Sequence, residues 1–260
     1  MIIELFGPPG VGKTTFAHAL VARLRECGCG AKLAASYRPS ERPTVAGGDG
    51  PTRTWFPAMR RVGRPVIESL VAASRLPRDS CEARAATALR NLFPPHDIVM
   101  ALKLRQYLLR LSSTWHHAAC SDAIVVFDQA FVQFICTLLS LNGEAIPDRV
   151  EAALDALPSP DLLVRLSAPS EILGVRLSER RRRLSAIESL FELDPETNRG
   201  SLQIADRLCE LVERRNWITA SVESCDERSL ATAIQHIAGI VATLRNRPPA
   251  RSGAAFEGAA

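Results

Sequence analysis

Apolar positions along the chain change period several times, and each change marks an element. Ile2-Ile3-Glu4-Leu5-Phe6 is a short, mostly apolar run ending at Gly7, which predicts a buried central strand. From Lys13 to Glu26 the period becomes helical. Phe16, Leu20, Leu24 and Cys27 form its apolar face, and Gly28 and Gly30 stop it. Residues 31–36 read as the second strand. Residues 37–64 lose periodicity and carry Pro39, Pro43, Pro51, Pro57 and the turn Gly47-Gly48-Asp49-Gly50, so a long loop is predicted there. Helical patterns return over 66–74, 80–92 and 97–119.

The second half alternates in the same way. Ile124-Val125-Val126-Phe127 is a strand closed by Asp128, followed by helices over 131–141 and 148–157. Residues 161–166 form another apolar run. Pro169-Ser170-Glu171 then opens a helix, with proline near the first turn and an acid behind it. A helix over 202–214, a short strand over 217–220 and a last helix over 227–244 complete the pattern. That last helix has Leu230, Ile234, Ile237, Val241 and Leu244 on one face. Strands alternating with helices predict an α/β fold: a parallel sheet covered on both faces, with right-handed crossovers. We expect a single domain over 1–245, with an acceptor-side helical region over 65–119 and a lid over 176–196. Residues 246–260 are expected to form a disordered tail.

The first strand runs into Gly7-Pro8-Pro9-Gly10-Val11-Gly12-Lys13-Thr14, which fits the P-loop pattern G-x-x-x-x-G-K-[ST] at every fixed position. Glycines let the backbone wrap closely round phosphate oxygens. Successive N–H groups form an anion nest, and the following helix adds its positive end. In this arrangement Lys13 reaches the β- and γ-phosphates and Thr14 offers a hydroxyl to Mg²⁺. Thr15 completes the nucleotide-binding segment. A P-loop alone does not distinguish a kinase from an ATPase or GTPase.

Composition adds limits. The 260 residues are 47% hydrophobic and 23% charged, with net charge +4, which suits a globular protein with anionic small substrates and points away from nucleic acid. No apolar run approaches the length of a bilayer span. The seven cysteines include no CxxC pair, as expected of reduced thiols in a cytoplasmic protein. His116-His117 has no partner at metal spacing.

Asp128 ends a strand, at the sheet edge where ligands bind, so it is a candidate for Mg²⁺ or for the proton of a substrate hydroxyl. Arg176, Arg180 and Arg183 share one helix face, from which a lid can deliver guanidinium groups to a transferring phosphoryl. Arg38, just past the second strand, and Arg105, on the helix before the Asp128 strand, are candidates for the acceptor side.

Taken in order, these motifs resemble the thymidylate kinase-like branch of the P-loop nucleotide and nucleoside kinases. Residues 7–14 carry the resemblance, together with Ile124-Val125-Val126-Phe127-Asp128-Gln129 and Pro160-Asp161-Leu162-Leu163-Val164-Arg165-Leu166-Ser167-Ala168-Pro169-Ser170-Glu171 followed by Arg176. Trp217-Ile218-Thr219-Ala220-Ser221 is similar to the family's final strand and adenine-side loop. The resemblance implies a three-layer fold around a five-stranded parallel sheet, with an arginine-bearing lid. It implies Mg²⁺ and ATP, with phosphoryl transfer to a small acceptor. Asp128 would lie near the acceptor, Arg176 or Arg180 against ATP, and Ala220 and Ser221 near the adenine. Gln129 stands where the family carries an arginine that holds the acceptor phosphate.

The leading expectation is an ATP-dependent kinase acting on a nucleoside, nucleotide or other metabolite, with Lys13, Asp128, Arg176 and Arg180 as its catalytic residues. The alternative is a regulatory or assembly P-loop ATPase with a protein partner. A nucleic-acid end kinase is a third reading, and assembly into a homodimer is left open.

Overall fold

The computed structural model describes residues 1–34, 80–94, 98–142, 147–183 and 195–246. The predicted loop at 37–64 with Arg38, the helix at 66–74, the lid segment 184–194 and the tail beyond residue 246 lie outside the described residues, as do the side chains of 180–183.

Five strands form one parallel sheet. They are β1 (Ile2–Phe6), β2 (Ala31–Ala34), β3 (Ile124–Phe127), β4 (Leu162–Ser167) and β5 (Thr219–Glu223), in spatial order β2-β3-β1-β4-β5. The helices among the described residues are α1 (Lys13–Glu26), α2 (Cys81–Leu92), α3 (Ile98–Ala119), α4 (Phe131–Asn142), α5 (Pro147–Asp155), α6 (Ser170–Arg183), α7 (Pro195–Glu213) and α8 (Glu227–Arg245).

Strand side chains alternate between two cores. Ile3, Leu5, Val126, Val164 and Val222 face α1 and α8, where they meet Phe16, Leu20, Leu24, Ile237 and Val241. Ile2, Phe6, Val125, Phe127 and Leu163 face the opposite layer, built from α2, α3, α4, α5 and α7. The register agrees: Ile3 pairs with Val126 on one side and Leu162 on the other, so all three point the same way. Each such fully buried side chain contributes about 1.5–3 kcal/mol of transfer free energy. The second core centres on Trp115, whose ring lies 5.1 Å from that of Phe127 and 5.2 Å from that of Phe131.

This strand order places the site. The chain leaves β1 toward β2 on one side and leaves β3 toward β4 on the other. Neighbouring strands whose connections diverge open a crevice at their carboxyl ends. The P-loop follows β1 and Asp128 follows β3, so both flank that crevice.

One face assignment and two boundaries depart most from the sequence pattern. Cys27, expected on the apolar face of α1, is the exposed C-cap residue, because the helix ends at Glu26 and Gly28 turns the chain with a φ of 75°. Helix α7 begins at Pro195 rather than at 202, with proline at its first position and no apolar residue in its first turn to reveal it. Strand β5 spans 219–223 rather than 217–220. It is an edge strand paired with β4 alone, so polar residues are tolerated along it.

Candidate active site

The loop after β1 is shaped by what its glycines must avoid. A Cβ on Gly7 would run into the carbonyl oxygen of Leu166 on β4, and its φ of 151° already disfavours other residues. Gly12 is the N-cap of α1 in the left-handed region, with φ 95°. No side chain caps α1 and no acid lies in its first turn. A helix start of this kind presents its positive end and backbone N–H groups toward the crevice, where an anion is the natural counterpart. Lys13 is buried, and its Nζ donates to the carbonyl oxygens of Gly7 at 2.8 Å and Pro8 at 3.0 Å. Its ammonium is thereby held across the cradle. Thr15 is exposed one residue beyond Thr14.

The cradle is tied to β3. Thr14 Oγ1 donates to Asp128 Oδ2 at 3.1 Å, and Asp128 is buried. The hydroxyl and carboxylate expected at the metal position thus lie side by side, on elements more than a hundred residues apart in the chain. Gln129 is half-buried next to Asp128.

A second brace comes from α4. Gly7 N donates to Gln133 Oε1 at 3.0 Å. The start of α4 is in turn fixed by Glu4 of β1, whose Oε1 accepts from Val132 N at 2.6 Å and Gln133 N at 3.2 Å. Burial pushes the Glu4 carboxyl up to about 8, outweighing the two backbone N–H groups that favour its charged form. Tyr107 of α3 stacks on Phe134 with ring centroids 5.0 Å apart. Burial, followed by the charges of Glu4 and Asp128, holds its phenol well above the usual range.

Helix α6 covers the other flank. A Cβ on Gly10 would press on the Leu177 side chain. Arg176 Nη1 donates to Ser224 O at 2.9 Å and Val11 O at 3.3 Å, while its Nη2 donates to Cys225 O at 2.8 Å. One guanidinium therefore joins the P-loop to the β5–α8 loop. Because β5 ends at Glu223, that loop is Ser224-Cys225-Asp226, and Ala220 and Ser221 lie within the strand. The residues at the level of the cradle are Ser224 and Cys225. A Cβ on Gly12 would lie 3.7 Å from Ser224 Oγ. Arg180 follows one turn after Arg176 in α6. Arg105 is exposed on α3.

The structure therefore gathers the cradle, Lys13, Thr14, Asp128 and Arg176. Sequence reasoning passed over Glu4, Gln133, Tyr107 and the Ser224–Cys225 carbonyls. Glu4 left a signal: it is a lone acid in an apolar strand, in phase with Ile2 and Phe6, so its side chain had to enter the core. The others had none, since each acts through a contact between distant elements.

No protein-family model matches the chain, and no curated protein matches it. Among solved structures the chain is similar to "Structure of deoxyadenosine kinase from M.mycoides with bound dATP", at 13% identity and a TM-score of 0.49, over 93% of this chain and 99% of that one. Identity at that level assigns no residue a role.

Proposed function

We propose that this protein is an ATP-dependent kinase that transfers the γ-phosphoryl group to a small metabolite, with a motif order like that of the thymidylate kinase-like branch. The observation that carries the reading is the Thr14–Asp128 hydrogen bond, because it joins the phosphate cradle to an acid on the neighbouring strand. A carboxylate fixed at the strand end beside the cradle is placed to take the proton that an acceptor hydroxyl gives up in transfer.

The donor's phosphates lie in residues 7–14, held by backbone N–H groups and by Lys13. The site fits Mg²⁺. Thr14 Oγ1 and Asp128 Oδ2 are hard oxygens 3.1 Å apart, the donor type that would hold it. When bound, Mg²⁺ neutralises charge on the transferring group. Asp128 takes the proton of the acceptor hydroxyl as the new bond forms. Gln129, Arg105 and Arg38 serve the acceptor side, and Arg180 serves the transferring phosphoryl. Arg176, Ser224 and Cys225 shape the nucleotide side. All seven cysteines are free, which supports a cytoplasmic setting.

Labelled ATP offered with a panel of nucleosides, nucleotides and hydroxylated metabolites tests the proposal. At least one acceptor should take the label in a single turnover. Asp128→Asn should slow that transfer by about a hundredfold or more while ATP affinity stays within about threefold. A chain that binds ATP but labels no acceptor, or an Asp128→Asn variant as fast as the parent, overturns it.

A further inference from the structure

The cradle and Asp128 lie at the carboxyl edge of the sheet. A second chemical constellation lies at the opposite edge, where α3 leads into β3. There Ser112 Oγ donates to Glu82 O at 3.1 Å, both residues being buried, which fixes the start of α2 against α3. The Glu82 side chain is only 4% exposed, and its Oε2 has no hydrogen-bond partner among the described residues. That oxygen points at His116, 3.6 Å from Nδ1. Across the ring, His116 Nε2 lies 4.0 Å from Cys120 Sγ. The spacing is held by the helix itself, since Cys120 N donates to His116 O at 3.1 Å. Cys120 is exposed, so a reagent in solution can reach it.

Carboxylate, imidazole and thiol in this order form the arrangement that activates a sulfur nucleophile. The buried carboxylate favours the tautomer with its proton on Nδ1, which leaves the Nε2 lone pair facing the thiol.

We infer that Cys120 is a modification site for small disulfides, with His116 as its base and Glu82 as the residue that orients His116. The thiol proton passes to Nε2, and the Cys120 sulfur attacks one sulfur of the disulfide. The disulfide bond breaks, and the departing thiolate takes the proton back from His116. Cys120 ends in a mixed disulfide and one small thiol is released. The incoming disulfide is the oxidant, so no other reactant is needed.

Cys81 provides a built-in contrast. It is also exposed, but it meets the Glu82 carboxylate directly. Burial and the Glu82 charge push its thiol pKa up, against thiolate formation.

The test treats the full chain with oxidised glutathione at pH 7 and follows each cysteine by peptide mass spectrometry. Cys120 should form its mixed disulfide about tenfold faster than exposed Cys27 or Cys81, and the advantage should vanish in urea. His116→Asn should remove most of it, with Cys27 unchanged in the same sample. Glu82→Gln should act with opposite signs, slowing Cys120 and speeding Cys81. Cys120 reacting no faster than Cys27, an advantage that persists in urea, or rates at both Cys120 and Cys81 moving the same way in Glu82→Gln each overturn the inference. None of these readouts depends on phosphoryl transfer.

Discussion

Glu4 is the residue whose environment conflicts most with its chemistry. It sits on the central strand, fully enclosed, with Oε1 bound to the first N–H groups of α4 and Oε2 without a hydrogen-bond partner among the described residues. Two backbone donors at a helix start favour a carboxylate, but burial disfavours it more, and the net shift is upward to about 8. The unfolded chain holds this group near its ordinary value of 4.5. Between those values the folded state carries a proton that the unfolded state lacks. The contribution is fully present below about 4.5 and is lost as pH rises through about 8. Stability should therefore fall by a few kcal/mol between pH 5 and 9 on account of this group alone. Glu4→Gln keeps an oxygen for Val132 N and Gln133 N but cannot titrate. Thermal melts of the two proteins across that range should show a flatter profile for the variant and a higher melting temperature than the parent at pH 9. Parallel curves would remove Glu4 as the source.

At the scale of elements, Arg176 carries information that neither helix nor loop carries alone. Its three bonds run from α6 to the P-loop and to the β5–α8 loop, so it sets how closely α6 lies over the cradle. Truncation leaves three carbonyl groups without this donor. We expect Arg176→Ala to lose about 1.5 kcal/mol, toward the low end for charged donors because the group is partly exposed, and ATP affinity to fall about tenfold. The rate at saturating ATP should change far less, and Arg176→Lys should not restore affinity, since one ammonium cannot span Val11, Ser224 and Cys225 as the planar fork does. A collapse of the rate with affinity intact would instead make Arg176 a direct partner of the phosphoryl group. The contrast between α1 and this clamp explains what a sequence exposes. α1 was legible to the residue at both ends because a local motif starts it and glycines follow it. β1 and β3 were legible because both faces are buried and their runs are apolar throughout. β5 was misplaced because edge pairing leaves a polar strand with one buried position. The Arg176 clamp and the Gln133–Gly7 brace were illegible, because each depends on two elements meeting and neither partner has a side-chain pattern of its own.

In the whole molecule the cradle is the hub through which distant parts of the chain touch. It meets β4 at Leu166, β3 through Asp128, α4 through Gln133, and α6 and the β5–α8 loop through Arg176. An occupant of the cradle is bound by the assembled sheet and not by any fragment, so its binding energy adds to global stability. With free ligand at a hundredfold its dissociation constant, the gain is about 2.7 kcal/mol. For a domain of this size that corresponds to a rise in melting temperature of about 5–10 °C. Mg²⁺ with a non-hydrolysable ATP analogue should produce such a rise. Lys13→Ala should melt within a few degrees of the parent without ligand, since the ammonium donates to the Gly7 and Pro8 carbonyls of its own loop, yet it should lose most of the ligand-induced rise. Omitting Mg²⁺ should reduce the rise if Thr14 and Asp128 hold the metal. No shift with the analogue would separate the cradle from nucleotide binding, and an undiminished shift in Lys13→Ala would show that the nucleotide is held elsewhere. If the rise occurs without Mg²⁺ at full size, the Thr14–Asp128 pair is a structural brace of the sheet and not a metal position.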